Sequence, residues 1–536
     1  MWTRLKLMFN TVIHLKWIQI IYQIYYKVRN RVFDPISFGN LRGYTQIQDQ
    51  VVLAAFSFSP EATNLEWLTD KDLKFSFLNL PHEFIGKVDW NYEGKGKLWN
   101  YNLNYFDFLF DLKVDSGTGK KLIRDYCKNY DSLIGGLEPY PISLRAINWI
   151  KFLSINNIRE DEIDLCLYKQ FKILESNLEY HILANHLLEN AFSLFFGAYY
   201  FENENFYKKA KKLLMAQLSE QILSDGAHYE RSPMYHQILL FRLLDTINLV
   251  QSNTWQSNEL IEELKSIAQS MLSWLEMMTF RNGEIPYLKD ATKGIAPTTQ
   301  QLLDYAKLLG VDWKKEISLS ESGYRKFSNE RMELFVDIGG GAPSYQPGHA
   351  HADELNFVLN LNGKPFIVDV GISTYEKNHR RQLERSTISH NCVSLGNTNS
   401  SEVWGGFRVA KRAKVRVLND SISEIMAEHN GFVHKGLNVK RKFSVSQTSI
   451  YIEDILKGSS SLIEGTVSSL HFHPDVKLKF LGNDIFADNI RIKLEGFRSF
   501  ALESYEYADG FNRLMGAKKI ALKPSETNQI EIQYAS

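Results

Sequence analysis

The period of the hydrophobic residues changes once along this chain, between residues 315 and 328, and that switch limits it to a helical half followed by a β half. From about residue 97 to 310, apolar residues recur at helical spacing in segments of about 12 to 20 residues with short polar breaks. PISLRAINWIKFL (141–153), NHLLENAFSLFFGAYY (185–200) and MYHQILLFRLLDTINLV (234–250) are examples. Successive helices with short connections pack as antiparallel neighbours, which predicts a helical array or toroid. After about residue 325 the apolar runs become short and β-like, as in MELFVDIG, LNFVLNL, KPFIVDVG, SIYIEDIL and QIEIQYA. Asn362-Gly363 between two of them predicts a two-residue hairpin turn. Many short strands without interleaved helices predict an antiparallel β-sandwich. The expected α+β organisation is a basic aromatic segment over 1–35, a helical domain over 36–315 and a sandwich over 325–536.

The 62 Lys+Arg balance 62 Asp+Glu, so the chain has no polycationic field and no nucleic-acid partner is expected. An anionic ligand must be held by a few placed donors instead. Cys127, Cys166 and Cys392 are too few and too scattered for a disulfide framework or a cysteine zinc site. The charge is uneven, however: residues 1–33 carry Arg4, Lys6, Lys16, Lys27, Arg29 and Arg31, with no acid before Asp34. The apolar-aromatic run Trp17 to Tyr26 is far short of the roughly 20 residues that span a bilayer. No small-residue cleavage site follows it. Two readings stand: a helix packed on the protein's own body, or an amphipathic basic segment resting on an anionic membrane. A cytoplasmic or inner-membrane-peripheral location is expected over a periplasmic one. Nothing in the sequence signals an oligomeric state.

Eight of the fourteen histidines lie between residues 181 and 390, in four short clusters on both sides of the domain boundary, so a cleft between domains is where they would meet. Asn185 and His186, with Glu189 one turn on, would sit near a helix N-terminus and could hold a carboxylate, or simply cap the helix. Residues 225–236 (DGAHYERSPMYH) contain seven ionisable side chains. Tyr229 or Tyr235 there could act as acid or base if Arg231, His228 and His236 lowered the phenol pKa. GHAHAD (348–353) holds His349 and His351. With Asp369 and His390, His351 would supply two imidazoles and a carboxylate, a ligand set suited to zinc. A straight hairpin would hold His351 about 16 Å from Asp369, so the chain must curl back at 348–353. Arg380, Arg381 and Arg385 could grip an anion or be rim charges. Arg145 and Asn104 lie on aromatic-rich helices whose ends could face a sugar or pack in the core.

GHAHADELNFVLNLNGKPFIVDVG followed by RSTISHN resembles the signature of the heparinase II/III-like C-terminal domain. NHLLEN, DGAHYERSPMYH, KLWNYNLNYFDF and PYPISLRAINWIK resemble the helical half of the same polysaccharide lyases. The resemblance spans roughly residues 90–480 and implies an incomplete (α/α) toroid joined to an antiparallel β-sandwich. It also implies β-elimination at a uronic acid of an acidic polysaccharide, with Tyr235 as base or acid and His349 as partner base. Asn185 and His186 would neutralise the uronate carboxylate, and Tyr229 is the fallback tyrosine. Glu189, Arg231, Arg145, Asn104 and Arg385 are expected to bind substrate. Zinc at His351, Asp369 and His390 would be structural. The basic N-terminus departs from an exported degrader and points to the cell's own capsule or surface polysaccharide. A non-catalytic glycan-binding or assembly protein, and a metal-dependent hydrolase or transferase, are the alternatives.

Overall fold

The computed structural model describes residues 2–44, 51–54, 56, 58–69, 72–481 and 484–534. The chain opens with α1 (Trp2–Val12) and α2 (Trp17–Arg29). A small antiparallel sheet follows: β1 (Thr63–Trp67), β2 (Leu73–Phe77) and β3 (Leu80–Phe84). This sheet lies within the range read as helical, because strands of five residues leave almost no period to read. Phe75 and Phe77 pack edge-on against Phe108 and Trp99, so the sheet covers the start of the helical array.

The array comprises α3 (Lys97–Tyr105), α4 (Ser116–Lys128), α5 (Pro139–Ile155), α6 (Asp161–Ser176), α7 (Ala184–Tyr200), α8 (Glu204–Gln221), α9 (Pro233–Ser252), α10 (Ile261–Met277) and α11 (Thr299–Leu308). Helices α5, α7 and α9 are apolar nearly all round, and such helices need neighbours on every side. They lie side by side as an inner layer, while α6, α8 and α10 pack outside and bury one face each. This is the expected incomplete toroid. Two helix starts place chemistry. Ser232 caps α9 and Pro233 occupies its first turn, which places Tyr235 in the opening turn of the helix. Leu183 and Ala184 enter α7 with left-handed φ of 65° and 53°, which turns Asn185 and His186 out of the array.

The β half begins with a meander: β4 (Tyr324–Ser328), β5 (Met332–Asp337), β6 (Phe357–Leu361) and β7 (Lys364–Ile367). Asn362 and Gly363 both have positive φ (51° and 73°), as the predicted hairpin turn requires. After α12 (His379–Glu384) come a two-stranded antiparallel ribbon (Val403–Trp404 with Arg408–Val409) and two larger antiparallel sheets. One has eight strands between Val415 and Gln533, and the other has four between Val393 and Lys523. The four-stranded sheet continues β7 through the Ile367–Phe472 bridge. The combined layer faces the eight-stranded sheet across Phe357, Leu359, Ile452, Ile520 and Ile530, which is sandwich packing.

Within this sandwich Arg441 pairs both nitrogens of its fork with Asp454 (2.7 and 2.9 Å) and donates to the carbonyls of Leu355 (3.1 Å) and Asn391 (2.5 Å). It thereby ties the sheet to the two loops that carry the histidines. Asp454→Ala leaves a buried guanidinium uncompensated and is expected to cost about 3–5 kcal/mol in urea unfolding. Asp484→Ala, which breaks a surface pair with Arg491, is expected to cost less than about 1 kcal/mol.

Candidate active site

The segment between α10 and α11 carries Lys289 and Asp290 into the β half, and both are fully buried. Lys289 pairs with Asp337 (2.6 Å) and with Asp353. Asp290 accepts both terminal nitrogens of Arg381 (2.5 and 2.6 Å), His349 Nδ1 (2.8 Å) and His351 Nε2 (2.9 Å). Burial alone would raise the pKa of Asp290; Arg381 and the two imidazoles reverse this and hold it well below the usual carboxylate range. An anion on Nδ1 fixes the proton of His349 there and leaves Nε2 as the open nitrogen. Nε2 lies 3.4 Å from Asn185 Nδ2 and 3.7 Å from Glu230.

The His349 ring stacks on Tyr235, centroids 3.8 Å apart, and the Tyr235 hydroxyl lies 3.4 Å from that of Tyr375. Burial drives the Tyr235 phenol above its ordinary value; the Tyr375 hydrogen bond opposes this and Asp290 and Glu230 reinforce it. Tyr235 is therefore protonated at neutral pH. The cations expected to lower it are absent: His228 and His236 are buried against Gln221 and the Met271 carbonyl, and burial lowers both pKa values, His236 to about 4. Opposite these rings, Asn185 Nδ2 donates to both oxygens of Glu230 (2.9 and 3.1 Å), while Asn185 Oδ1 has no protein partner. His186 Nδ1 meets Glu179 at 3.0 Å, and its ring lies 4.4 Å from Tyr140. Burial would lower the His186 pKa, but Glu179 outweighs it and the value rises.

The cleft therefore gathers Tyr235, His349, Asn185 and His186. Other residues expected from sequence to bind substrate stand elsewhere. Arg145 is buried, donating to Gln170 and to the carbonyls of Asn104 and Gly136. Asn104 is buried too, bonded to Trp90 O, Asn100 O and Tyr126. Both depart from the sequence expectation, because aromatic-rich helix ends look alike in sequence whether they line a core or a cleft. Glu189 lies beneath the cleft, 3.4 Å from Arg242, and burial raises its pKa to about 7. Arg231 clamps the carbonyls of Gly339 and Glu321, joining the two halves. Arg385 holds the Ala350 and Gly406 carbonyls and so fixes the backbone between His349 and His351. Tyr229 is buried and its hydroxyl takes a hydrogen bond from Tyr345 (2.8 Å).

Residues 314–535 match the family described as heparinase II/III-like, C-terminal, and residues 142–311 match heparinase II/III N-terminus. The chain belongs to the heparinase II/III-like polysaccharide lyase family. Its fold is that of solved members. A heparinase III is 15% identical, with a TM-score of 0.64 over 84% of this chain and 80% of that one. A second heparinase III is 17% identical, with a TM-score of 0.61 over 83% and 80%. Heparan sulfate lyase HepC from Pedobacter heparinus is 16% identical, with a TM-score of 0.55 over 84% and 79%. No curated protein matches the sequence.

The β half also holds a metal-competent group. Ligand atoms of His351, Asp353 and His390 lie within 4.8 Å of one another, all buried. His351 Nδ1, His390 Nε2 and Asp353 Oδ2 have no hydrogen-bond partner, the signature of donors arranged around an ion. Asp369, expected from sequence in this set, is not part of it. In the structure Asp369 instead meets His390 Nδ1 (2.7 Å) and Asn356 (2.6 Å), orienting a ligand from behind as Asp290 does for His351. The chain turns at Glu354 and Leu355, where Leu355 has φ 64°, just beyond the stretch 348–353 expected to curl back.

Sequence reasoning passed over Asp290, Glu230, Tyr375 and Asp353. Asp353 closes GHAHAD and Glu354 follows it, but nothing local to YLKDATKG marks Asp290. Asp290→Asn leaves Arg381 buried without its counter-charge. It is expected to destabilise the protein by about 3–5 kcal/mol in urea unfolding, and Asp290→Asn with Arg381→Leu to recover part of that loss.

Proposed function

We propose that the protein cleaves a uronate-containing polysaccharide by β-elimination, with Tyr235 as acid and His349 as base. The observation that carries this reading is the Asp290-locked imidazole stacked on a protonated tyrosine, facing two donors at the start of α7. A uronate carboxylate in the cleft would take hydrogen bonds from Asn185 and from His186 as imidazolium, which stabilises the enolate-like charge that develops. His349 Nε2 then removes the C5 proton. The C4–O4 bond breaks as Tyr235 gives its proton to O4, and a C4–C5 double bond remains. The imidazolium proton returns to the tyrosinate.

The substrate class follows from the cations. Arg242 and Lys151 border the aromatic cavity beside Tyr235, but they are engaged by Glu189 and Asp245. Arg381, Arg385, Arg231 and Arg145 are held by other protein groups. Few positive charges remain for sulfate, so the polymer we propose is a uronate chain of low sulfation, such as the cell's own capsular or surface polysaccharide. We further propose zinc at His351, Asp353 and His390. Its contribution when bound would be to pin the loop that carries His349.

Incubation with non-sulfated uronate polymers is expected to create unsaturated, ultraviolet-absorbing ends, with Tyr235→Phe and His349→Ala each lowering kcat by roughly a hundredfold or more. A saturated product, or no cleavage across a panel of acidic polymers, would defeat the lyase reading. Because the His186 pKa is raised, imidazolium persists above the ordinary histidine value, and kcat/KM should fall as pH rises through that raised pKa. His186→Gln should abolish this limb of the profile. Elemental analysis should find zinc in the purified protein, Asp353→Ala should remove it, and Asp369→Ala should weaken its affinity roughly ten- to a hundredfold.

A further inference from the structure

Helix α2 is amphipathic, and it is turned the wrong way for a helix that belongs to a core. Gln19, Tyr22, Tyr26 and Arg29 form the face against the protein. Gln19 donates to the Ile182 carbonyl (3.1 Å), Tyr26 to that of Leu178 (2.7 Å) and Arg29 to that of Ser176 (2.7 Å), while Tyr22 packs on Tyr180. The opposite stripe, Trp17, Ile21, Ile24 and Val28, is 79, 59, 60 and 59% exposed. Helix α1 repeats the pattern: Leu5, Met8, Phe9 and Val12 share one helical face and all are exposed. Arg4, Lys6, Lys27 and Arg31 border these stripes, exposed, and no acid lies among residues 1–33.

An apolar surface of this extent is costly in water and marks a partner. Apolar stripes flanked only by cations complement a bilayer with anionic headgroups. No helix among the described residues is long and apolar enough to cross a membrane, so the pair would lie in the interface. We propose that α1 and α2 form a docking face for an anionic membrane surface. The same helices are fastened at the cleft. Trp404 Nε1 donates to Thr11 (3.1 Å) from the loop whose Phe407 ring lies 6.3 Å from that of His349, and Lys16 pairs with Glu220 and lies 4.1 Å from the ring of Tyr345. Docking would therefore hold the cleft beside the bilayer, where a polymer attached to that surface would reach it. The membrane face stands independently of the lyase reading, because vesicle binding needs no substrate.

The test is co-sedimentation of the full chain with vesicles of phosphatidylcholine containing phosphatidylglycerol, against phosphatidylcholine alone. The protein is expected to pellet with the anionic vesicles and to be released as salt rises. Phe9→Glu, Ile21→Glu and Ile24→Glu together should lower vesicle affinity by roughly tenfold or more, with melting temperature unchanged. No binding to anionic vesicles, or equal binding by the triple variant, would overturn the proposal. So would concentration-dependent self-association that the triple variant abolishes without any vesicle binding, since the face would then belong to a second copy.

Discussion

The carboxylate of Asp290 is the interaction on which the rest of this structure depends. Burying an anion costs several kcal/mol, and the cost is recovered only when every lone pair meets a donor. Those donors, Arg381, His349 and His351, all come from the β half, whereas Asp290 leaves the helical half. Its neighbour Lys289 is the mirror case, a buried cation whose acids Asp337 and Asp353 also lie in the β half. Neither charge is satisfied until the halves are docked, so domain docking and the orientation of His349 are one event. The same carboxylate holds His351, so any ion at His351, Asp353 and His390 would share its support with His349.

Four arginines serve in this protein as backbone glue. Arg145, Arg231, Arg385 and Arg441 each hold two or more carbonyls, and together they fix the helix ends and loops around the cleft. Because the guanidinium presents five donors in a planar fork, it can join several carbonyls that no short side chain could reach together. This explains how a chain with balanced charge can look cationic near its motifs and yet leave few cations for a ligand. It also explains why sequence misjudges them: proximity to a motif is visible in one dimension, but the carbonyl that engages the guanidinium lies 9 to 108 residues away.

By itself the sequence determined the two halves and their order, because helical and strand periods are local properties written into every segment. It also determined the turn at Asn362-Gly363, where the left-handed backbone needs those residues, and it carried the motifs of Tyr235, His349, Asn185 and His186 that the fold brings together. The tertiary structure decided what local pattern cannot carry. It assigned Asp290 and Glu230 to the site, exchanged Asp369 for Asp353 beside the two imidazoles, and moved Arg145, Asn104 and Glu189 into the interior. It also decided which face of α2 looks outward, which an amphipathic pattern leaves open. In each case the deciding quantity is a distance or a burial between residues far apart in the chain, and such quantities exist only after the chain has folded.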